Sequence, residues 1–481
     1  MKKSVYVCGK VSFLQNIHTK TDGLWYDGKN LSKKKGGERM KLWGGKNRRK
    51  PSPKKTESEK EPFEIDWEQV WKREELERKA RLTGWPVPQD QKPGKKTKKR
   101  RFWKRSLVAL TFLAGLYCVA VFSPIPFIAK WRAIYIETAM GTMTHQWLAT
   151  AFIPSFVIDD VMGKREQVEQ EQQGLESQWK EEGFGESQAT PWDKLRKDFF
   201  QQYPQIEEAS FEEYMKEHGE EAIDEEGYLL IDKAGLEDED TGIRTKKGDQ
   251  VLAVDTRNGI IICKVTGEGY VGRLALVRDP SQVGVALAPS YGSVGSLAAD
   301  IAEKRDAVLL TNASGFYDPD GHGNGGTAHG LVISGGKKKN DAVGGTYKTI
   351  GIDEENRLHI GASESTYRDA VEFKPALIVN GEQVVEGSAG WGVQPRTAIG
   401  QTEEGTMLLL VVDGRAPGYS IGCTVGDCAE ILGRYGAVQA CNLDGGSSSI
   451  MVYRGREISR PSAANKTQGR HIPNGIAVYG D

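Results

Sequence analysis

The sequence predicts an α+β protein: a mainly antiparallel or mixed β-sheet outer domain with a few packed helices, preceded by one transmembrane helix. Three observations predict it. From Gly248 onward, short β-rich runs alternate with glycine-rich turns, as in LALVR, VLLTN, ALIVN and GIAVYG. Two pairs of runs flank hairpin signals: QVLAVD and IIICKV around Asn258-Gly259, and RTAIGQ and TMLLLVVD around residues 402–405. Upstream, residues 106–128, from Ser106 to Ile128, form an uncharged stretch of 23 residues, long enough to cross a hydrocarbon core of roughly 30 Å.

Taken in order, residues 1–105 are a largely disordered, basic cytoplasmic segment. Within it, residues 62–85 carry one amphipathic helix ending before Gly84 and Pro86, a candidate docking element for a cytoplasmic protein partner. The span 106–128 follows a run of nine Lys or Arg between Lys92 and Arg105 and is flanked by Trp103 and Trp131. Cytoplasmic flanks are the basic ones, so the N-terminus is expected inside and everything after about Lys130 outside: a single-pass protein of the cell membrane. The net charge of −1 and the topological use of the basic run argue against nucleic-acid binding.

Residues 129–247 read as an acidic, helical stalk or elaboration of the outer domain. Ser210 followed by Glu213 suggests a capping box, with Gly219 as the helix stop. An apolar patch at 147–158 is too short to span and is expected to pack on the outer domain. Residues 248–481 are that domain, with two helices expected at 297–304 and 424–435. The second carries a capping box of Thr424 with Asp427 and a stop at Gly436. Cys423, Cys428 and Cys441 lie close in sequence and leave a disulfide open, while the absence of any CxxC pair argues against a structural zinc.

Polar residues and glycines collect where strands should end: TNASGFYDPDGHGNGG (311–326), PRTAIG (395–400), VVDGR (411–415) and NLDGGSSS (442–449). Together they supply Asp413, Asp444, Arg396, Arg415, Asn312 and Asn442, a set suited to an anionic sugar derivative. The run AEILGRYGAVQACNLDGGSSSIMVYRG, with PRTAIG, DGR, TNASGFYD and IPNGIAVYG, resembles the phosphodiester glycosidase domain family over about half the chain, residues 248–481.

That resemblance implies a hydrolase that cleaves a sugar-1-phosphodiester, such as a link in an exopolysaccharide or envelope glycan, releasing sugar and phosphomonoester. The leaving phosphate has a second pKa near 6 and needs cationic, bidentate stabilisation more than a proton, which assigns Arg396 and Arg415 to it. Asp444 and Asp413 become the carboxylate pair, and Asn312 and Asn442 hydroxyl or acetamido contacts. Gly445, Gly446 and Ser447 would present backbone N–H groups to the phosphate, and His329 could line the site.

The same segments admit three other readings. Residues 318–329 begin like an EF-hand loop but place His329 where the bidentate Glu belongs, which leaves calcium open as the one cofactor and the metal unassigned. Gly418-Tyr-Ser420-Ile-Gly422 matches a nucleophile elbow, giving a serine esterase with Asp444 and His471, although residues 414–417 intervene between strand and serine. A non-catalytic glycan-binding module on the same fold is the third. Convergence of Asp444, Asp413 and the two arginines in one cleft separates catalysis from binding.

Overall fold

The computed structural model describes residues 67–84, 96–179, 183–318, 323–361 and 367–480. The chain divides into two compact units, Met1–Gly94 and Lys95–Asp481. Of the first, one helix is described, α1 (Trp67–Thr83). Its exposed apolar residues, Val70, Trp71, Leu76 and Leu82, scatter around the helix instead of forming one stripe, so the expected amphipathic face does not form.

The second unit opens with α2 (Lys96–Phe122), α3 (Pro126–Met140), α4 (Trp147–Thr150) and α5 (Ser155–Glu171). The apolar stretch expected as one helix over 106–128 is cut at Phe122. Pro124 and Pro126 bar a continuous helix, and Pro126 instead starts α3. Within α2, Arg105–Phe122 is long and apolar enough to cross a membrane and is almost wholly unburied. The patch 147–158 packs on its helical neighbours: Ala149, Val157 and Ile158 share a small core with Val121, Ile136 and Ala139.

Next come α6 (Trp192–Leu195), α7 (Phe199–Gln202) and α8 (Glu208–His218). The cap of α8 is Glu207, whose carboxylate accepts from the N–H groups of Ala209 and Ser210. The expected Ser210 box is therefore displaced by three residues, because an acid was available one turn earlier. Later, α9 (Ala298–Lys304) and α10 (Val425–Arg434) form where expected, the latter with both halves of the Thr424–Asp427 box in place.

All described strand pairs are antiparallel and make three sheets. The largest runs in the order 230–232, 250–255, 260–267, 270–277, 407–412, 396–402, 437–442, 376–379, 382–383. Along one strand Leu408, Leu410 and Val412 enter one core, while Met407, Leu409 and Val411 enter another. This two-residue alternation means that the sheet is buried on both faces. Residues of α6, α7, α8 and α10 cover the first face, and the two five-stranded sheets supply partners for the second. Trp192, Phe199 and Phe211 thus share a core with the sheet, and Leu230 pairs with Asp255.

The register places the functional loops together. Arg396 lies opposite Val412 and Ala398 opposite Asn442, so the start of one strand and the ends of its two neighbours meet at one sheet edge.

Candidate active site

At that edge lies a cleft of about 770 Å³. Its lining includes Asp444, Arg396, Arg415, Asn442, His329, Gly445, Gly446 and Ser447, but neither Asp413 nor Asn312. Six lining residues are basic (Arg165, Lys374, Arg396, Arg415, Lys466 and Arg470) and two are acidic (Asp318 and Asp444), which favours an anion.

The two central arginines lack carboxylate partners among the described residues. Arg396 is buried and donates from Nη2 to the carbonyls of Trp391 (2.9 Å) and Gly392 (2.7 Å), and from Nε to that of Cys423 (3.3 Å). Arg415 donates from Nε and Nη2 to Oε1 of Gln394 (3.1 and 2.7 Å). Burial pushes both guanidinium pKa values down, and for Arg415 the proximity of Arg396 adds to this. A buried guanidinium close to a second, partly accessible one costs energy unless an anion joins them. Of the other cleft cations, Arg470 pairs with Asp318, Lys374 with Glu169 at 2.8 Å and Arg165 with Glu169 at 3.1 Å, while Lys466 donates to the Ser462 carbonyl at 3.2 Å.

Asp444 stands two residues beyond the end of the strand Ala437–Asn442. Its carboxyl pKa is pushed up to about 6 by burial, against the Ser448 hydroxyl, Arg470 and the Gly445 N–H, which favour the ionised form. Asn312 lies beneath it, with Nδ2 donating to the Asp444 carbonyl at 2.6 Å and Oδ1 accepting from Thr397 Oγ1 at 2.7 Å. Expected as a substrate contact, Asn312 is instead a fully engaged positioning residue. Asn442 does line the cleft; its Nδ2 donates to the Lys374 carbonyl, and its buried Oδ1 has no partner among the described residues.

Two further expectations fail on geometry. Asp413 is buried off the cleft and accepts from Tyr419 Oη (2.9 Å) and Arg460 N–H (2.8 Å), with Arg273 at 3.8 Å. It is therefore no partner for Asp444 across a substrate. The second carboxylate at the cleft belongs to Asp318, close enough to help raise the Asp444 pKa. The glycine amides are also engaged, since Gly446 N–H donates to the Pro395 carbonyl at 2.9 Å and Gly445 N–H bonds the Asp444 carboxylate.

What the glycines supply is closeness. A Cβ on Gly445 would stand 2.8 Å from the Pro395 oxygen, and one on Gly446, at φ +62°, 3.0 Å from Arg415 Nη2. Ser447 Oγ lies 3.3 Å from Arg470 Nη1, and His329 is exposed at the rim with its ring 5.4 Å from that of Tyr347.

The esterase geometry is absent. Ser420 is buried, its Oγ donates to the Asp413 carbonyl and accepts from Val271 N–H, and it sits in a turn closed by the Ala416–Ser420 bridge. Of the calcium-like loop, residues 319–322 lie outside the described residues; among those described, no cluster of His, Cys, Asp or Glu is arranged to hold a metal. Cys423 and Cys428 are free and buried, Sγ to Sγ 3.5 Å.

Sequence reasoning missed Gln394, Lys374, Arg470, Tyr347 and Arg165 as cleft residues. Gln394 directly precedes PRTAIG and was within reach; the others stand in segments without a motif. It also missed that the α3–α4 turn, residues 141–145, forms one wall.

Residues 305–479 match the phosphodiester glycosidase family. The uncharacterized SPbeta prophage-derived protein YomE of Bacillus subtilis (strain 168) is 29% identical over 183 residues, 34% of this chain and 27% of its own. The N-acetylglucosamine-1-phosphodiester alpha-N-acetylglucosaminidase of Bos taurus is 28% identical over 157 residues, 28% of this chain and 29% of its own. This chain therefore spans less than a third of the length of either relative. The catalytic domain of the zebrafish enzyme of that name aligns at TM-score 0.39 and 22% identity, covering 46% of this chain and 82% of the other.

Proposed function

We propose that this chain, a phosphodiester glycosidase over residues 305–479, is a membrane-anchored hydrolase that cleaves a sugar-1-phosphodiester in an extracytoplasmic glycan. The observation that carries the reading is the pair of arginines, the buried Arg396 and the more accessible Arg415, both without carboxylate partners among the described residues, in the same cleft as Asp444.

In this reading the two guanidinium groups take the phosphate oxygens, so the C1–O bond breaks with the electron pair leaving on an oxygen already stabilised by charge. Asp444, ionised, acts at the anomeric carbon as nucleophile or as base for water, and the water's hydroxyl ends on C1 of the sugar. Its proton goes to the released phosphomonoester or to solvent. Asn442 Oδ1, a buried acceptor without a partner among the described residues, suits a sugar hydroxyl. Asp318 and Arg470 close the wall beside Ser447.

Arg105–Phe122 would hold the enzyme in the membrane, with the basic side within the cytoplasm. The domain division at 105, 128 and 247 belongs to the same proposal. The test is phosphomonoester release from the methyl phosphodiester of α-N-acetylglucosamine and a panel of other α-linked hexoses. Release that Asp444→Asn abolishes supports the reading. Binding of a diester without turnover moves it to a glycan-binding module, and turnover that survives Asp444→Asn removes Asp444 from the chemistry.

A further inference from the structure

The helices that follow the apolar segment are part of the cleft. The Thr138 carbonyl on α3 accepts from Gln394 Nε2 at 2.9 Å, and Thr138 Oγ1 accepts from Val393 N–H at 3.0 Å. Gly392 lies so close that a Cβ would stand 2.5 Å from Thr138 N. Gln394 is also the residue that holds the Arg415 guanidinium, so one amide connects α3 to the anion site. On α5, Arg165 stacks over the Trp391 ring at 4.8 Å and Glu169 pairs with Lys374 at 2.8 Å. The turn between α3 and α4 lines the cleft itself.

The same helices expose large apolar side chains elsewhere. Phe127, Trp131 and Tyr135 repeat every four residues along one side of α3 and are 71, 53 and 45% exposed. Trp147, Phe152 and Phe156 on α4, α5 and the turn between them are 55, 58 and 65% exposed. This surface is continuous with the end of the apolar helix: Phe122 stacks on Phe156 at 6.2 Å, Tyr117 Oη donates to the Phe152 carbonyl at 2.6 Å, and Tyr135 Oη to that of Leu148 at 2.7 Å. A contiguous aromatic surface of this kind is out of place in water and suits the bilayer interface, where Trp and Tyr collect.

Helices bearing that surface also wall the cleft, and at a bilayer interface they would hold it at the level of the lipid headgroups. We infer that the phosphodiester is borne by a membrane lipid: a sugar-1-phosphate ester of a long-chain alcohol, whose chain stays in the bilayer while the sugar and phosphate enter the cleft. This deepens the hydrolase reading above and rests on it. Water attacks C1, the C1–O bond breaks, and the products are the free sugar and the lipid's phosphomonoester, with one proton released to it or to solvent.

The test uses the full chain in phosphatidylcholine proteoliposomes and two diesters of one sugar phosphate, methyl and farnesyl, for each sugar of the panel. The farnesyl diester should be hydrolysed with a kcat/KM at least about tenfold above the methyl, since a membrane-inserted chain concentrates its headgroup at the surface. The double variant Trp131→Asp with Trp147→Asp should remove that preference and leave methyl turnover unchanged. Equal turnover of the two diesters overturns the inference and spares the hydrolase reading. So does a preference that the double variant leaves intact, or a detergent-stable dimer that it abolishes, which would assign this face to a second copy. Hydrolysis of neither diester with any sugar overturns both.

Discussion

Asp444 and Asp413 follow the two strands that flank the strand Arg396–Thr402, at one sheet edge, and burial lifts the carboxyl pKa of each to about 6. Their surroundings are otherwise opposite. Asp444 faces a cleft that holds two arginines without carboxylate partners among the described residues. Asp413 is enclosed by Tyr419, Arg460 and Arg273, off the cleft. A raised pKa therefore records desolvation in both places, and only access together with unneutralised charge turns it into chemistry. Arg415, two residues beyond Asp413, turns back into the cleft from a backbone at φ +55°, so the boundary between frame and site passes within three residues.

The largest expected effect separates the two acids. Asp444→Asn should lower kcat/KM for a sugar-1-phosphodiester by about 10³-fold, while Asp413→Asn should change it by no more than about twofold in folded protein. Comparable losses from both would break the comparison. Next is Arg415→Lys, which keeps the charge but loses the planar fork; hydrogen bonds to charged groups are worth about 1.5–3 kcal/mol, so a loss of about 10- to 100-fold is expected. A lysine variant with unchanged kinetics would remove Arg415 from phosphate binding.

The pH profile sharpens the assignment further. With Asp444 required as carboxylate, kcat/KM should rise about tenfold per unit up to a pH of about 6 and then level off. An activity that instead falls above that pH would make Asp444 the proton donor. The acid limb should vanish in Asp444→Asn and persist in Asp413→Asn.

Much of this was legible in the sequence, and the limits have physical causes. The Asn258-Gly259 hairpin and the Thr424–Asp427 box are set by residues within a few positions of each other, so both formed as read. Arg396, Arg415, Asn442 and Asp444 were read from strand ends and glycine turns, which are local signals, and all four line the cleft. The roles of Asn312 and Asp413 were misread because direction is a tertiary property. Asn312 ends the strand Ala307–Asn312 of a five-stranded sheet and Asp413 follows the strand Met407–Val412 of the largest, and packing turns Asn312 under the Asp444 loop and Asp413 into the Tyr419–Arg460 network. Lys374 and Arg165 reach the cleft from segments without a motif. The wall supplied by α3 and α5 rests on contacts between residues some 200 or more apart, such as Gln172 with Ala376 at 3.1 Å.

The smallest effect is thermodynamic. An acid whose folded pKa of about 6 exceeds its ordinary value of 3.8 binds its proton more tightly in the folded chain. Between those pH values the folded state holds more protons than the unfolded one, so stability falls as pH rises, by up to about 1.4 kcal/mol per unit for each group, and levels off above about 6. Asp444 and Asp413 contribute in the same direction, and in Asp413→Asn only the Asp444 share remains. Denaturant titrations of the wild type and this variant between pH 4 and pH 7 should show the slope reduced by up to about 1.4 kcal/mol per unit, with kcat/KM retained. An undiminished slope would mean that Asp413 is ionised throughout, held by Arg273, and that only the cleft acid resists losing its proton. The contrast between frame and site would then extend to charge as well as access.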